Sequence, residues 1–483
     1  MDQAVIAQTL SKLNEILKGA PNLDVAKALM GTDVRKDYPS GLVGYDLEPA
    51  ARVLQPVITP LRNKIPRVKG KGGTAANWRQ ITSLSTNIAT SFAAFGTAGP
   101  TLTYTETDRS ATYKAMGVGD NISIEQVQQV LGVEDGRANL AIRLLQNTMI
   151  LEEQNLITGR NATLGTVTAP TCATVAGGGT ISANTYYVVV RACTGQGVRS
   201  TAAANITAAG AIASRGKKSA ASTGVVVASN GTINASTPYV DGANTYEWYV
   251  GTTNNNTSET LEAITSINSV NLTALAGTGG TVPADTGATA SADSQAFDGF
   301  LSQGSGTGTF GNFGYSKVLA TGTNGTGTTF SLNDVDTMLW NLWNSYGAIP
   351  DFLVMNPVHA VDLTAKCRAA GLIRLVVDDS KAGNLIGGSR VTGYIHPVVD
   401  KEIGVIAHPW WPQGSIFALS LGLPPGVPLA ETMNAYEVKT QIDYYQLEYA
   451  VTAPKYSIEV RCLEALAGYF LLGSGIICNI AVG

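Results

Sequence analysis

Between about Asn161 and Ala296 the chain changes character: charged residues thin to roughly half their density elsewhere, and Gly, Thr, Ser, Ala and Asn take over. Helix-forming patterns with mixed charge lie on both sides, so neither flank is complete without the other. The expected organisation is a host domain with a separate β-rich guest spliced into it, and a host that tolerates a guest presents it outward. A chain of 483 residues is too long for one ordinary core, in keeping with that division.

Charge excludes one class of function. With a formal net charge of -4 and only 14% charged residues, no strongly basic field is available for gripping nucleic acid in a sequence-specific way. The five cysteines, Cys172, Cys193, Cys367, Cys462 and Cys478, show no C-x-x-C or other metal-ligand spacing. Reduced thiols, no metal and no cofactor are expected. Cys172 and Cys193 both fall in the guest and could face each other, but the odd total and the lack of a secretory signal favour thiols in a cytoplasm. The uncharged stretch from Ala465 to Gly483 is long enough to suggest a membrane anchor, yet it holds four glycines and follows the alternating KYSIEVRCLEA. A buried strand is the better expectation.

The host begins with a short amphipathic segment, MDQAVIAQTLSKLNEILKG. Pro49, Pro56, Pro60 and Pro66 then keep the chain extended as far as the Gly70, Gly72 and Gly73 turns. TLTYTETDRSATYKAMG alternates apolar and polar residues as one arm of a long strand pair would. In NISIEQVQQVLG, Ser123 and Gln126 have capping-box spacing at the head of a short helix that Gly132 can stop. From about Arg137 to Ile157 a run without Gly or Pro repeats apolar residues every three to four positions, which predicts a spine helix. Beyond the guest, Val335, Met338, Leu339, Leu342, Trp343 and Tyr346 form one helical stripe. DFLVMNPVHAVDLTAKCRAAG follows as strand, tight turn and helix, and Asp378, Asp379 and Lys381 fall in an exposed Gly-rich loop. The tyrosine-rich C-terminal section is β-patterned and returns to close the domain that the spine helix began.

Catalytic chemistry finds little support. Gly306, Gly308 and Gly311 spell G-x-G-x-x-G, but without a preceding parallel strand or a following helix, and no phosphate-loop motif occurs. His359, His396 and His408 each sit beside or near proline, where structural roles are expected. Glu152 and Glu153 are expected on a solvated or intersubunit salt-bridging face of the spine helix.

The order of pieces, a strand pair ending TYTETDRSATYKAMGVGDNIS, a short helix, and a long helix running into EEQNLITGRNATLG, resembles the major capsid proteins of tailed bacteriophages, the Johnson (Hong Kong-type) fold. The guest, with NTYYVVVRACTGQGVRS and DGANTYEWYVGTTNNNTSETLEAITSINSVNLT, resembles the immunoglobulin-like modules inserted in phage virion proteins. Tyr187 and Val189 against Tyr186 and Val188 would give its sandwich one buried face.

On that resemblance the fold class is α+β. An N-terminal arm would occupy 1–48, an extended loop and the start of a peripheral domain 49–121, and the short and spine helices 122–164. The inserted sandwich would span 165–295, an axial domain 296–430, and C-terminal strands closing the peripheral domain 431–483. The resemblance implies a non-enzymatic shell subunit forming hexamers and pentamers around phage DNA, assembled in the bacterial host cytoplasm and held in the virion capsid. Its implied partners are other copies of itself, a separate scaffolding protein, a portal protein, a decoration protein where one is used, and packaged DNA through non-specific contact, with no membrane. No lysine–asparagine crosslinking pair can be aligned. Lys69, Lys71 and Lys114 therefore stand as interface candidates only, with Trp78, Phe92, Phe95, Glu152, Glu153, Asp378, Asp379 and Lys381 as further candidate intersubunit contacts. The alternatives are a virion adhesin that works through the immunoglobulin-like guest, or an enzyme on the same scaffold.

The spine-helix assignment is directly testable. Leu144→Pro should remove a hydrogen bond and clash with the preceding turn at a cost of roughly 3 kcal/mol or more, abolishing soluble assembly. A near-normal yield of assembled protein from this variant would contradict the assignment.

Overall fold

The computed structural model describes residues 58–84, 95–98, 105–130, 135–161, 164, 167–194, 215–255, 258–277, 281–282, 296–306, 308–372, 390–424, 434–450 and 453–482. Expectations for the arm at 1–48 and for Phe92, Asp378, Asp379 and Lys381 lie outside the described residues. Of the described residues, those between 121 and 140, Ala450, and those between 453 and 456 fall in one compact unit and the rest in a second.

In the second unit, β1 (Arg67–Lys69) leads through Gly72 and Gly73, at φ +102° and +83°, into β2 (Ala75–Ser83). Such dihedrals strain any residue with a Cβ, so the turn depends on glycine. β2 pairs antiparallel with β3 (Thr105–Thr112), from Ala75 opposite Thr112 to Ser83 opposite Thr105. This is the expected strand pair, and most of β3 is exposed. The base of the pair, however, belongs to the core. Ile65, Ile81 and Met116 lie in the main hydrophobic cluster, Ala76 packs with Tyr113 and Ala465, and the Trp78 indole donates to Gly468 O at 2.9 Å. The segment from Ile65 to Met116 is therefore rooted in the core of this chain and does not stand wholly outside it. One face of β2 is covered by the C-terminal strands, a contact across nearly 400 residues of sequence that alternation alone does not reveal.

β4 (Lys114–Ser123) runs into the first unit, where α1 (Ile124–Val130) begins. The Gln126 amide donates to Ser123 Oγ at 3.1 Å and Gln126 Oε1 accepts from the Ser123 amide at 3.3 Å, which is the capping box read from the sequence. α2 (Gly136–Thr158) is the spine helix, with Asp135 Oδ1 capping the Arg137 and Ala138 amides at 3.0 and 3.2 Å. Its 23 residues span about 34 Å at helical rise. Every residue from Glu152 to Thr158 is buried, so the last two turns are enclosed on all sides.

The charge-poor stretch folds as two facing antiparallel sheets. β5 (Thr171–Val175), β6 (Asn184–Cys193), β7 (Arg215–Lys218), β8 (Val225–Val227), β9 (Thr232–Ser236), β10 (Thr245–Gly251), β11 (Thr260–Thr265) and β12 (Ser269–Leu272) follow in chain order. They divide into a sheet ordered β11-β10-β6-β7, with β8 also on β6, and a sheet ordered β12-β9-β5. Tyr186, Val188, Val190 and Trp248 meet Ile233, Ala235, Val270 and Leu272 between them. The expected single buried face is only half of what β6 does: Val189 on the opposite face is also buried, against Tyr249, Leu261 and Val282. A strand this poor in charge can be covered on both sides. The chain enters and leaves this module side by side, with the Gly299 amide donating to Gly159 O and the Asn161 amide to Asp298 Oδ1, each at 2.9 Å. The module is also tied down elsewhere. The Asn268 amide donates to Asn479 Oδ1 at 2.9 Å and the Phe310 amide to Asp241 Oδ1 at 3.1 Å, so it is seated on the host rather than tethered to it.

The remainder builds two further sheets. α3 (Phe300–Gln303), β13 (Tyr315–Val318), α4 (Leu332–Tyr346), β14 (Phe352–Met355) and α5 (Pro357–Ala369) precede β15 (Gly393–Ile395), β16 (Glu402–Ala407) and β17 (Ser415–Leu419). β18 (Tyr436–Glu448), β19 (Lys455–Gly468) and β20 (Gly475–Cys478) complete the chain. A mixed sheet ordered β13-β20-β17-β14-β16-β15 packs on the α4 stripe, where Val335, Met338, Leu339 and Leu342 are all buried. Ser331 and Asp334 form a reciprocal cap at the head of α4, and Gly347 ends it at φ +61°. The Asn356-Pro357 pair is the N-cap and first position of α5. The second sheet, β1-β18-β19-β4, joins sequence-distant strands, as the returning C-terminus requires. The stretch expected to close one domain from 431 on nevertheless divides between both sheets, since β20 pairs with β13 and β17. The architecture is α+β throughout.

Candidate functional site

Two consecutive carboxylates on an enclosed helix must be compensated inside the protein, because an unpaired buried charge costs several kcal/mol. Glu152 and Glu153 are both fully buried. The expectation that they form a solvated or intersubunit face is overturned: their partners lie in the same chain.

Glu153 faces the turn that precedes β1. Its Oε1 accepts from the Leu61 amide and from His408 Nε2, both at 2.8 Å, and its Oε2 from the Arg62 amide at 2.7 Å. His408 Nδ1 accepts from the Trp410 amide at 3.1 Å, which leaves Nε2 to carry the hydrogen and donate. One carboxylate thus ties the proline-punctuated segment, the spine helix and the loop after β16 together.

Glu152 faces β18 and β19. It accepts from Arg62 Nε at 2.8 Å, and also from Arg67 Nη1 and the Tyr444 hydroxyl. Arg67 Nη2 continues to Asp443 Oδ1 at 2.8 Å and Glu464 Oε2 at 3.0 Å. The Arg62 and Arg67 guanidiniums lie 5.1 and 5.0 Å from the Tyr444 ring centroid, a favourable cation–π distance. Burial raises the affinity of Glu152 for a proton, an effect that Arg67 and then Arg62 oppose. Glu464 is pushed up to about 8, first by burial and then by the neighbouring Glu152 charge.

The other sequence candidates scatter. Lys69 and Lys71 are exposed, and Trp78 is held by its own chain through Gly468 O. Phe95 is fully exposed at 109% relative accessibility. All three histidines hold backbone or side-chain partners inside the fold: His359 Nε2 accepts from the Gly414 amide at 2.9 Å, and His396 Nδ1 accepts from the Val398 and Val399 amides at 3.2 Å. A half-open cleft of about 200 Å³ at the base of the strand pair is lined by Trp78, Gln80, Arg109, Asp298 and Gln303 among others. Among the described residues no group of three or more His, Cys, Asp or Glu side chains could hold a metal ion, and no helix is long and apolar enough to cross a membrane.

No family model and no curated protein sequence matches the chain. Among solved structures it is similar to the Cyanophage A-1(L) capsid asymmetric unit, at 9% identity and a TM-score of 0.46 over 92% of this chain and 98% of that one. It is also similar to the capsid of the native GTA particle, at 11% identity and a TM-score of 0.41 over 91% and 97% of the two chains. A third likeness is to the holo-SrpI encapsulin complex from Synechococcus elongatus, at 11% identity and a TM-score of 0.38 over 91% and 97%.

Glu153→Ala should strand the Leu61 and Arg62 amides and the His408 ring, destabilising the protein by roughly 3–5 kcal/mol in denaturant unfolding. Glu125→Ala, on the exposed start of α1, should stay within about 0.5 kcal/mol of the parent. A Glu153→Ala loss as small as that of the control would contradict the anchoring role.

Proposed function

We propose that this chain is the structural shell subunit of a phage-type capsid, copies of which join as hexamers and pentamers around packaged DNA. The observation that carries this reading is the strand pair β2–β3. Its base is clamped to the end of β19 and to Tyr469 just beyond it through Trp78 and Ile81, whereas β3 is largely exposed and Phe95, between the two strands, is fully exposed. A fully exposed aromatic side chain is a natural contact for a neighbouring copy. Ile142 and Leu145, exposed at 54% and 37%, stand one turn apart on the same side of α2 and offer a second apolar contact for a neighbouring copy.

The order of elements around the pair supports the same reading: capped short helix, spine helix, helix–strand–helix on a mixed sheet, and C-terminal strands that return to the start. The acidic balance suits a shell whose contact with DNA is non-specific. A separate scaffolding protein, a portal protein and a decoration protein belong to the proposal as partners, as do assembly in the host cytoplasm and residence in the virion. The two-sheet module is proposed to be an immunoglobulin-like ornament on the shell. Its polar ties through Asn268 and Asp241 make it part of the subunit, which favours the shell reading over a detachable adhesin.

Replacing residues 85–104 with a short Gly-Ser turn tests the proposal while sparing the clamped base of the pair. The circular dichroism spectrum should be retained and closed particles lost in negative-stain micrographs. Closed particles of normal size from this variant would contradict the proposal.

A further inference from the structure

The charge cluster beside Glu152 is not balanced. Arg62 and Arg67 face three carboxyl groups, Glu152 on α2, Asp443 on β18 and Glu464 on β19. Tyr444 of β18 and the buried Cys462 thiol of β19 complete the titratable surroundings, and burial pushes that thiol up so that it adds no charge. The donors are unequally shared. Glu152 accepts from Arg62, Arg67 and Tyr444, and Asp443 is largely in water, its side chain 64% exposed. Glu464 is fully buried and, among the described residues, accepts only from Arg67 through Oε2, with no donor to its Oε1. An ionised carboxylate with one bare oxygen in a dry site is the costliest arrangement in the cluster, whereas a neutral carboxylic acid there is tolerable.

We propose that Glu464 holds a proton in the closed cluster and that losing it loosens the segment from Leu61 to Gly70, making this cluster a pH-sensitive latch on the base of the strand pair. With Glu464 ionised, Arg67 must serve three anions, and its hold on Glu152 weakens. The segment depends on that hold: Leu61 and Arg62 are bound to α2 by Glu153, Arg62 and Arg67 by Glu152, and β1 lies parallel to β18 with the Gly70 amide on Thr440 O at 2.7 Å. β2 starts five residues beyond Gly70, so loosening the segment frees the root of the projecting pair.

The sign follows from linkage. The carboxyl of Glu464 is raised from 4.5 to about 8, so the folded state binds the proton more tightly than the unfolded chain does. The stability that the proton confers is complete below about 4.5 and is lost as pH rises through about 8.

The test is hydrogen exchange of the full-length protein, followed from about pH 6 to pH 10, against the isosteric neutral variant Glu464→Gln. After correction for intrinsic rates, protection of residues 58–70 in the parent should fall by up to tenfold per pH unit from about pH 6 to about pH 8 and level off above that, while Glu464→Gln keeps its protection throughout. Parallel profiles for the two proteins would overturn the proposal. Should Glu464→Gln fail to fold, the infrared spectrum of the parent decides. A protonated-carboxyl carbonyl band at about pH 7 that disappears by about pH 10 supports the latch, and its absence at about pH 7 overturns it. Neither readout involves particle formation, so the latch can fail without touching the shell proposal, and the reverse.

Discussion

The larger unit depends on burying two adjacent carboxylates in the last turns of the spine helix. Helix geometry turns successive side chains by about 100°, so Glu152 and Glu153 point to different neighbours and each must find its own donors. Glu153 takes two backbone amides and a histidine, and Glu152 takes two guanidiniums and a phenol. The segment before β1, the loop after β16 and strands β18 and β19 are thereby fixed to one helix. Such clusters add little net stability over an apolar core, but removing one partner is expensive, so they fix which segments meet.

That arrangement accounts for a rigid base and an extended reach in the same strand pair. Trp78 and Ile81 bind the backbone at Gly468 and Tyr469, immediately after the stretch of β19 that carries Glu464. The pair is thus rooted on strands that the charge cluster positions, while most of β3 is exposed. The two-sheet module follows a different logic, with apolar residues on both faces of β6 and chain ends that meet at Gly159 and Gly299. Its attachment uses polar contacts such as Asn479, which sits at φ +63° and also donates to Leu319 O at 2.6 Å.

Much of this was legible in the sequence because it rests on local rules. The run from Arg137 to Ile157, the Ser123–Gln126 cap and the Val335–Tyr346 stripe correspond to helices at or within a few residues of where periodicity puts them. The charge cluster was not legible. Periodicity marks the apolar side of a helix but not the point where the helix becomes enclosed on all sides, so two glutamates look solvated when they are buried. The available signal was the arginine pair, Arg62 and Arg67, in a proline-rich segment, but its partners at Asp443, Tyr444 and Glu464 lie almost 400 residues away. For the same reason the sequence does not reveal that the Trp78 indole donates to Gly468 O, 390 residues away.

The most direct test of the central claim is the size of what the intact chain forms. The purified protein, expressed with and without a scaffolding partner, should be followed by analytical ultracentrifugation and negative-stain microscopy. A shell subunit predicts capsomers, and closed particles of megadalton mass in at least one of the two conditions. A protein that remains a monomer or small oligomer in both, at concentrations where phage shells assemble, would contradict the account.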